Sequence, residues 1–277
     1  MKPDLHCHSH FSDGQHAPEF LIQRAIENGV THLAITDHDC IAAFQQLDDS
    51  PSDIRLISGV EISCDWNGLE IHVVGLMFDC KDVGLLDLLA LQQQRRRDRI
   101  SAIAEKLEAL GHPGLLDYFE NLPCISYTRS HVADYLVQQG ICKNRQKAFN
   151  NFLAKRGRAF VPSSWCSLSI CIGAIRQAGG IAVLAHPSRY PLTKSKLATL
   201  VDDFAAAGGE AIEVSYSNIA PVVKQALSEL SLAKQLYASV GSDFHDAAAH
   251  WTNIGKFPPL DQDTQKNAIW LHPKWHS

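Results

Sequence analysis

Long apolar runs are missing from this chain. No stretch approaches the ~18 residues that a membrane-crossing helix needs, so no membrane partner is expected. Met1 leads almost directly into a strand-like run, with no apolar h-region, and no signal peptide is expected. Positive charge is not in excess either. The net charge of −5 excludes a generally basic surface and leaves any nucleic-acid role to a local pocket. Paired cysteines are also lacking. Cys7, Cys40, Cys64, Cys80, Cys124, Cys142, Cys166 and Cys171 are scattered without a CxxC spacing. In a leaderless chain that pattern reads as reduced thiols of the cytoplasm and speaks against a cysteine-ligated zinc site. There is no internal repeat and no low-complexity tract. What remains is 277 residues, 45% of them hydrophobic, enough for one barrel-sized domain with a modest insertion.

The chemistry begins at Asp4-Leu5-His6-Cys7-His8. Successive strand side chains point to opposite faces, so His6 and His8 share a face and Cys7 points away. Two imidazoles on one face can grip one metal ion. One such pair says little, but the pattern recurs. Apolar runs end in ligand types at Ile35-Thr36-Asp37-His38, Gly59-Val60-Glu61, Val183-Leu184-Ala185-His186 and Gly241-Ser242-Asp243-Phe244-His245. Histidine and carboxylate gathered at strand ends is how a barrel builds a metal site on one face. Asp13, in the polar loop after His8, can reach back as an oxygen ligand or serve as a turn aspartate. Asp37 is read as a residue that orients its neighbours.

Asn67-Gly68 is a two-residue hairpin signal between residues 54–64 and 70–76. That turn sets Ser63 opposite His72 and Glu61 opposite Val74, so Glu61 and His72 are diagonal neighbours about 7–8 Å apart at the backbone. Residues 85–110 read as one helix with an Ile100, Ile103, Leu107, Leu110 stripe, and Arg95-Arg96-Arg97-Asp98-Arg99 as its solvated face. Strand signals vanish over 112–164, where helical pieces near 130–139 and 145–156 suggest a lid. Helices over 18–29, 168–178 and 195–207 alternate with strands over 32–36, 181–185, 211–216, 237–242 and a short last one over 267–272. Strand 211–216 carries no obvious chemistry. The alternation predicts a parallel α/β barrel in two segments, 1–90 and 165–277, with a helical lid or substrate-binding insertion over 91–164.

These motifs resemble those of the PHP (polymerase and histidinol phosphatase) family. Glu70-Ile71-His72-Val73-Val74-Gly75-Leu76, Thr128-Arg129-x-His131, Val161-Pro162 and His186-Pro187-x-Arg189-Tyr190 resemble its branch of RNase AM exoribonucleases and 3′,5′-nucleoside bisphosphate phosphatases. The resemblance implies a distorted (β/α)7 TIM-like barrel with up to three divalent ions, commonly Mn2+, with Zn2+ or Fe2+ as alternatives. It implies one ion on His6, His8, Glu61 and Asp243, a second on Asp13, His38 and His245, and a third on Glu61, His72 and His186. His10 and His16 stay outside this set. Three divalent ions against three carboxylates leave about +3, a charge suited to a phosphate dianion.

The implied activity is hydrolysis of nucleotide phosphate esters by a metal-activated hydroxide attacking phosphorus. Substrates would be short or single-stranded RNA, trimmed 5′→3′, and 3′,5′-nucleoside bisphosphates. Asp243, Glu61 and His186 are the expected catalytic residues; Arg129, His131, Arg189 and Lys155 are expected to grip a phosphate that is not cleaved. In a bisphosphonucleotide that anchored group is taken as the 3′-phosphate, and in RNA as the 3′-bridging phosphate of the first nucleotide. No stable protein partner is implied. A histidinol-phosphatase-like monoesterase is the alternative enzyme, and a non-catalytic RNA-binding barrel the alternative class.

Overall fold

Short apolar runs bounded by polar turns become strands whose ends converge. The computed structural model describes residues 1–47 and 53–276. Strands β1 (Pro3–Asp4), β2 (His32–Ala34) and β3 (Arg55–Ile57) form one parallel sheet. Strands β4 (Gly59–Trp66), β5 (Leu69–Leu76), β6 (Cys166–Ser167), β7 (Ile181–Leu184), β8 (Ala211–Ser215) and β9 (Tyr237–Val240) form a second sheet in the order β6-β4-β5-β7-β8-β9. Backbone bonds join the sheets at both edges. Leu5 N–H donates to Val240 O (3.2 Å) and Cys7 bridges Phe244; His38 bridges Glu61, with Asp39 N–H donating to Glu61 O (2.8 Å). The strands therefore run as a ring in which β3 and β4 form one stave broken at Ser58, and β5 alone runs antiparallel. This is the distorted TIM-like barrel expected.

The hairpin keeps the register that Asn67-Gly68 predicts. Ser63 pairs with His72 and Glu61 with Val74, and both turn residues have positive φ (52° and 76°), as a type I′ turn requires. Two strand expectations change. Residues 54–64 are two strands, not one, because the stave breaks between the sheets. Residues 267–272 are not a strand: Ala268 makes a single bridge to Ala238, and 3-10 turns Ile269–Leu271 and Pro273–His276 follow. Pro273 has no N–H to continue a ladder. The turns bury Trp275 against Leu5, Val74 and Ile181 in the barrel interior.

Helices α1 (Pro18–Glu27) and α2 (Ala42–Gln46) flank the first sheet, and α3 (Val83–Ala109) is the long one. Then come α4 (Leu115–Glu120), α5 (Arg129–Gln138), α6 (Arg145–Ala148), α7 (Leu168–Gln177), α8 (Lys194–Ala206), α9 (Pro221–Ala233) and α10 (Gln262–Gln265). Helix α3 belongs to two cores. Leu85, Leu88 and Leu89 pack on the barrel, whereas Ile100, Ile103 and Leu107 pack with Phe119, Val132, Leu136 and Phe152 in a separate core built by α4–α6 and the π-helical turn Phe149–Leu153 that follows. Leu110, expected in that stripe, is exposed at the helix end.

Between the two halves of α3 lie buried polar groups, where the sequence suggested a solvated arginine run. Arg96 pairs with Asp39 (2.6 Å) and Arg99 with Glu70 (3.3 Å), while Gln92 and Gln93 bond to Ser63 O (2.6 Å) and Asp39 O (2.8 Å). Arg96 and Arg99 are three residues apart and so share one helix face. Counting the charges along the run hides that face.

Candidate metal centre

Strand ends deliver nine ligand-type side chains to one rim of the barrel. His6 and His8 leave β1 on one face, with Nε2 atoms 3.1 Å apart. Cys7 points away and sits at Ala34 O (3.4 Å). Gly241 lets β9 approach this pair, since a Cβ there would lie 2.3 Å from that of His6. Asp13 comes back over the strand end on the loop after His8. Asp37 holds that loop, accepting bonds from Ser9 N–H (2.8 Å), Ser9 Oγ (2.6 Å) and Ser12 Oγ (2.6 Å). Asp4 ties β1 to the last loops by accepting from Ser242 N–H (2.8 Å) and Gly255 N–H (2.6 Å).

Glu61 stands at the centre. Its Oε1 is 3.0 Å from His72 Nδ1, 2.9 Å from His186 Nε2 and 3.4 Å from His6 Nε2; its Oε2 is 3.0 Å from His38 Nδ1 and 3.3 Å from His8 Nε2. Asp243 Oδ1 lies 3.3 Å from His8 Nε2 and 3.6 Å from His6 Nε2 and from His245 Nδ1. Asp13 Oδ1 is 3.4 Å from His245 Nε2 and 3.6 Å from His38 Nε2. His186 (φ 28°) and Asp243 (φ 50°) adopt left-handed backbone just past β7 and β9. Such conformations are costly for non-glycine residues and cluster at functional sites.

All nine expected ligands come together, in overlapping groups. His6, His8 and Asp243 form one, and His8, Asp13, His38 and His245 another; His6, Glu61 and His186 make a third and His38, Glu61 and His72 a fourth. The residues fit divalent ions. Metal–nitrogen bonds of ~2.0–2.1 Å put neighbouring donors about 3.0–3.4 Å apart, and the distances above cluster there. Three buried donor atoms, Asp13 Oδ1, His38 Nδ1 and His186 Nδ1, have no hydrogen-bond partner. Buried polar atoms are nearly always satisfied, so unpartnered atoms on three of the nine ligand residues suit a binding site.

Electrostatics agree with this. Burial alone would raise Asp13, Glu61 and Asp243, yet all three are held well below the usual carboxylate range. His38 and His245 outweigh burial at Asp13, His72, His6 and His38 at Glu61, and Arg189 and His245 at Asp243. Burial pushes His38 and His186 down. It opposes protonation of His72 and His245 too, but Glu61 raises the first to about 10 and Asp13 the second to about 9. Without metal, then, His72 and His245 carry protons at neutral pH. Metal ligation requires neutral imidazole, so loading should release protons and affinity should rise with pH. Calorimetry of manganese binding in buffers of different ionisation enthalpy checks this; binding with no net proton release contradicts it.

Two residues of the site were not read from the sequence. Glu213, in the β8 strand that promised no chemistry, is buried and accepts from His6 Nδ1 (2.8 Å) and from His186 N–H (2.6 Å). Its signal was a single carboxylate inside the buried run Ala211–Ser215. Glu70 spans Arg99 and Arg129 (each 3.3 Å) and lies 3.8 Å from His72 Nε2.

The expected substrate groups separate. Arg129 opens α5 and faces Glu70. His131 Nδ1 accepts from Thr128 N–H (3.1 Å), a helix-capping role, while the ring also lines a cavity beside the centre. Arg189 lies on Asp243. Lys155 is exposed just past the π-helical turn Phe149–Leu153 and lines neither of the two openings next to the ligands. One opening is a cleft of about 120 Å3 between His38, His72, Arg99 and Arg129; the other is a cavity of about 1290 Å3 reaching Asp243 and His245.

Strands that aim nine histidine and carboxylate donors at one barrel rim define a metallohydrolase barrel. The chain belongs to the PHP domain family, whose profile matches residues 4–162. A 5′-3′ exoribonuclease of Haemophilus influenzae is 40% identical over 257 residues, which are 92% of this chain and 93% of that protein. A 3′,5′-nucleoside bisphosphate phosphatase of Chromobacterium violaceum is 34% identical over 266 residues, 93% of each. A solved Chromobacterium violaceum structure, described as an amidohydrolase with bound sulfate and no metal, matches with a TM-score of 0.89 at 32% identity, covering 98% of this chain and 95% of that one. No helix among the described residues is long and apolar enough to cross a membrane.

Proposed function

We propose that this chain is a divalent-metal-dependent phosphoesterase that trims short single-stranded RNA from its 5′ end and removes the 3′-phosphate of 3′,5′-nucleoside bisphosphates. The observation that carries this is a cationic cleft beside a nine-ligand centre. Relatives named for these activities match nearly the whole chain at 40% and 34% identity. The eight free cysteines suit a reducing cytoplasm.

Manganese is the expected metal on family likeness, although histidine-rich donors intrinsically prefer zinc. Bound divalent ions would lower the pKa of the attacking water and neutralise charge growing on the phosphoryl oxygens. His6, His8, Asp13, His38, Glu61, His72, His186, Asp243 and His245 would hold them. Asp243, Glu61 and His186 are the proposed catalytic residues, and Asp243 among them lines the large cavity. Arg189 follows His186 on one 3-10 turn, Pro187–Arg189, and its place on Asp243 lets it meet an arriving phosphate oxygen.

Releasing a nucleotide from the 5′ end breaks the ester at its 3′ oxygen. The group held but not cleaved is then the 5′-phosphate, the reverse of the assignment made from the sequence. The cleft suits it. Arg99 and Arg129 share the single carboxylate of Glu70, so one positive charge is left over for an anion. The insertion over 91–164 supplies both arginines and covers the site as a lid. Arg129→Ala should lower kcat/KM for a bisphosphonucleotide at least ~10-fold, the scale of one charge-assisted hydrogen bond. A nucleoside 3′-monophosphate should lose far less. Equal losses would assign Arg129 to the fold.

The function is tested by assaying the purified protein with manganese on a 3′,5′-bisphosphonucleotide, an end-labelled oligoribonucleotide and histidinol phosphate. Turnover of the first two is expected, with the 5′ label released first. Preference for histidinol phosphate, loss of the 3′ label first, or no metal-dependent turnover overturns the proposal.

A further inference from the structure

A bisphosphonucleotide ends at its reacting phosphate, but the structure continues. Beyond Asp243 and His245 lies the cavity of about 1290 Å3. Sites for one drug-sized ligand hold about 300–1,000 Å3, so this space exceeds what a single nucleotide fills. Its walls are not those of an apolar groove. The loops after β8 and β9 contribute Tyr216, Asn218 and Trp251, and the insertion contributes Tyr118 and Arg145. The carboxylate of Asp134, which also lines it, is taken by Arg145.

Trp251 is the unusual wall residue. It is 67% exposed, yet the turn that carries it is anchored. The next residue, Thr252, donates from N–H to Ala249 O (3.1 Å), and its hydroxyl donates to Ser217 Oγ (3.0 Å) and Ser242 O (3.4 Å). Those bonds tie the turn to the strand end that carries Asp243. A large aromatic face is thus held in water on a fixed turn beside the reacting centre.

We propose that this cavity receives the nucleotides that follow the reacting phosphate in single-stranded RNA, and that Trp251 stacks on one of their bases. The inference rests on the phosphoesterase reading. The 3′ oxygen of the first nucleotide leaves, and the reacting phosphate stays esterified to the 5′ oxygen of the next nucleotide, so the rest of the chain must extend from that phosphate on the side away from the cationic cleft. That side is the cavity. Stacking on an aromatic face is sequence-tolerant, as trimming of arbitrary ends demands.

The test compares the manganese-loaded wild type, Trp251→Ala and Trp251→Phe on a 5′-phosphorylated tetraribonucleotide and on a 3′,5′-bisphosphonucleotide. The ratio of kcat/KM for tetranucleotide over bisphosphonucleotide should fall about fivefold or more in Trp251→Ala, mainly through KM, the scale of one lost base stack. Trp251→Phe should restore most of it. With metal removed by chelator, the tetranucleotide should quench tryptophan fluorescence in the wild type more than in Trp251→Phe. An unchanged ratio, whether from equal losses or from none, overturns the inference, as does equal quenching. If the wild type turns over neither substrate, the phosphoesterase reading itself falls.

Discussion

Glu61→Gln is expected to lower kcat by at least ~10²-fold and to leave the purified protein short of more than one metal ion, with the fold intact. No other carboxylate of the centre lies within 3.4 Å of five histidines. Oε1 serves His6, His72 and His186, and Oε2 serves His8 and His38. Glutamine keeps the size but removes the charge and presents an amide donor to nitrogen lone pairs. Asp243→Asn should cost activity on the same scale but disturb only the His6, His8 and His245 side. Elemental analysis beside steady-state kinetics separates them. Loss of a single ion in Glu61→Gln, or full activity with full metal content, contradicts the central role.

Glu213→Gln is expected to weaken metal binding by about 10–100-fold, the usual cost of removing a carboxylate that orients a ligating histidine. Its two oxygens hold the His6 ring and the His186 backbone, so one side chain aligns ligands from β1 and β7. Excess metal should restore most of kcat, because Glu213 touches the ligands and not the substrate. A metal titration followed by activity and by direct binding measures both. Unchanged affinity would reduce Glu213 to a packing residue; kcat that stays low at saturating metal would place it in the chemistry.

The ligand set was legible because each of its signals is local. Period two puts His6 with His8 and Asp243 with His245 on common faces, and Asn67-Gly68 sets the register that brings Glu61 to 3.0 Å from His72. Glu213, Arg96 and Arg99 were not legible in the same way. Each has a meaning that depends on a partner far along the chain: His6 is 207 residues from Glu213, and Asp39 is 57 from Arg96. No periodicity encodes such a pairing. His131 shows the converse. Its motif suggested phosphate recognition, and the local backbone also uses it as a helix cap.

The sequence by itself determined the donor types, their places at strand ends, the hairpin register and the absence of strands over residues 112–164. Those follow from side-chain alternation and turn chemistry, which act over a few residues. Only the tertiary structure decided that five histidines meet around Glu61, that Glu213 aligns two ligands, and that the centre opens to a small cationic cleft on one side and a large mixed cavity on the other. Those features arise from ring closure between β1 and β9 and from the packing of α3 across two cores. Both are long-range contacts, set by which surfaces bury together and not by any local pattern.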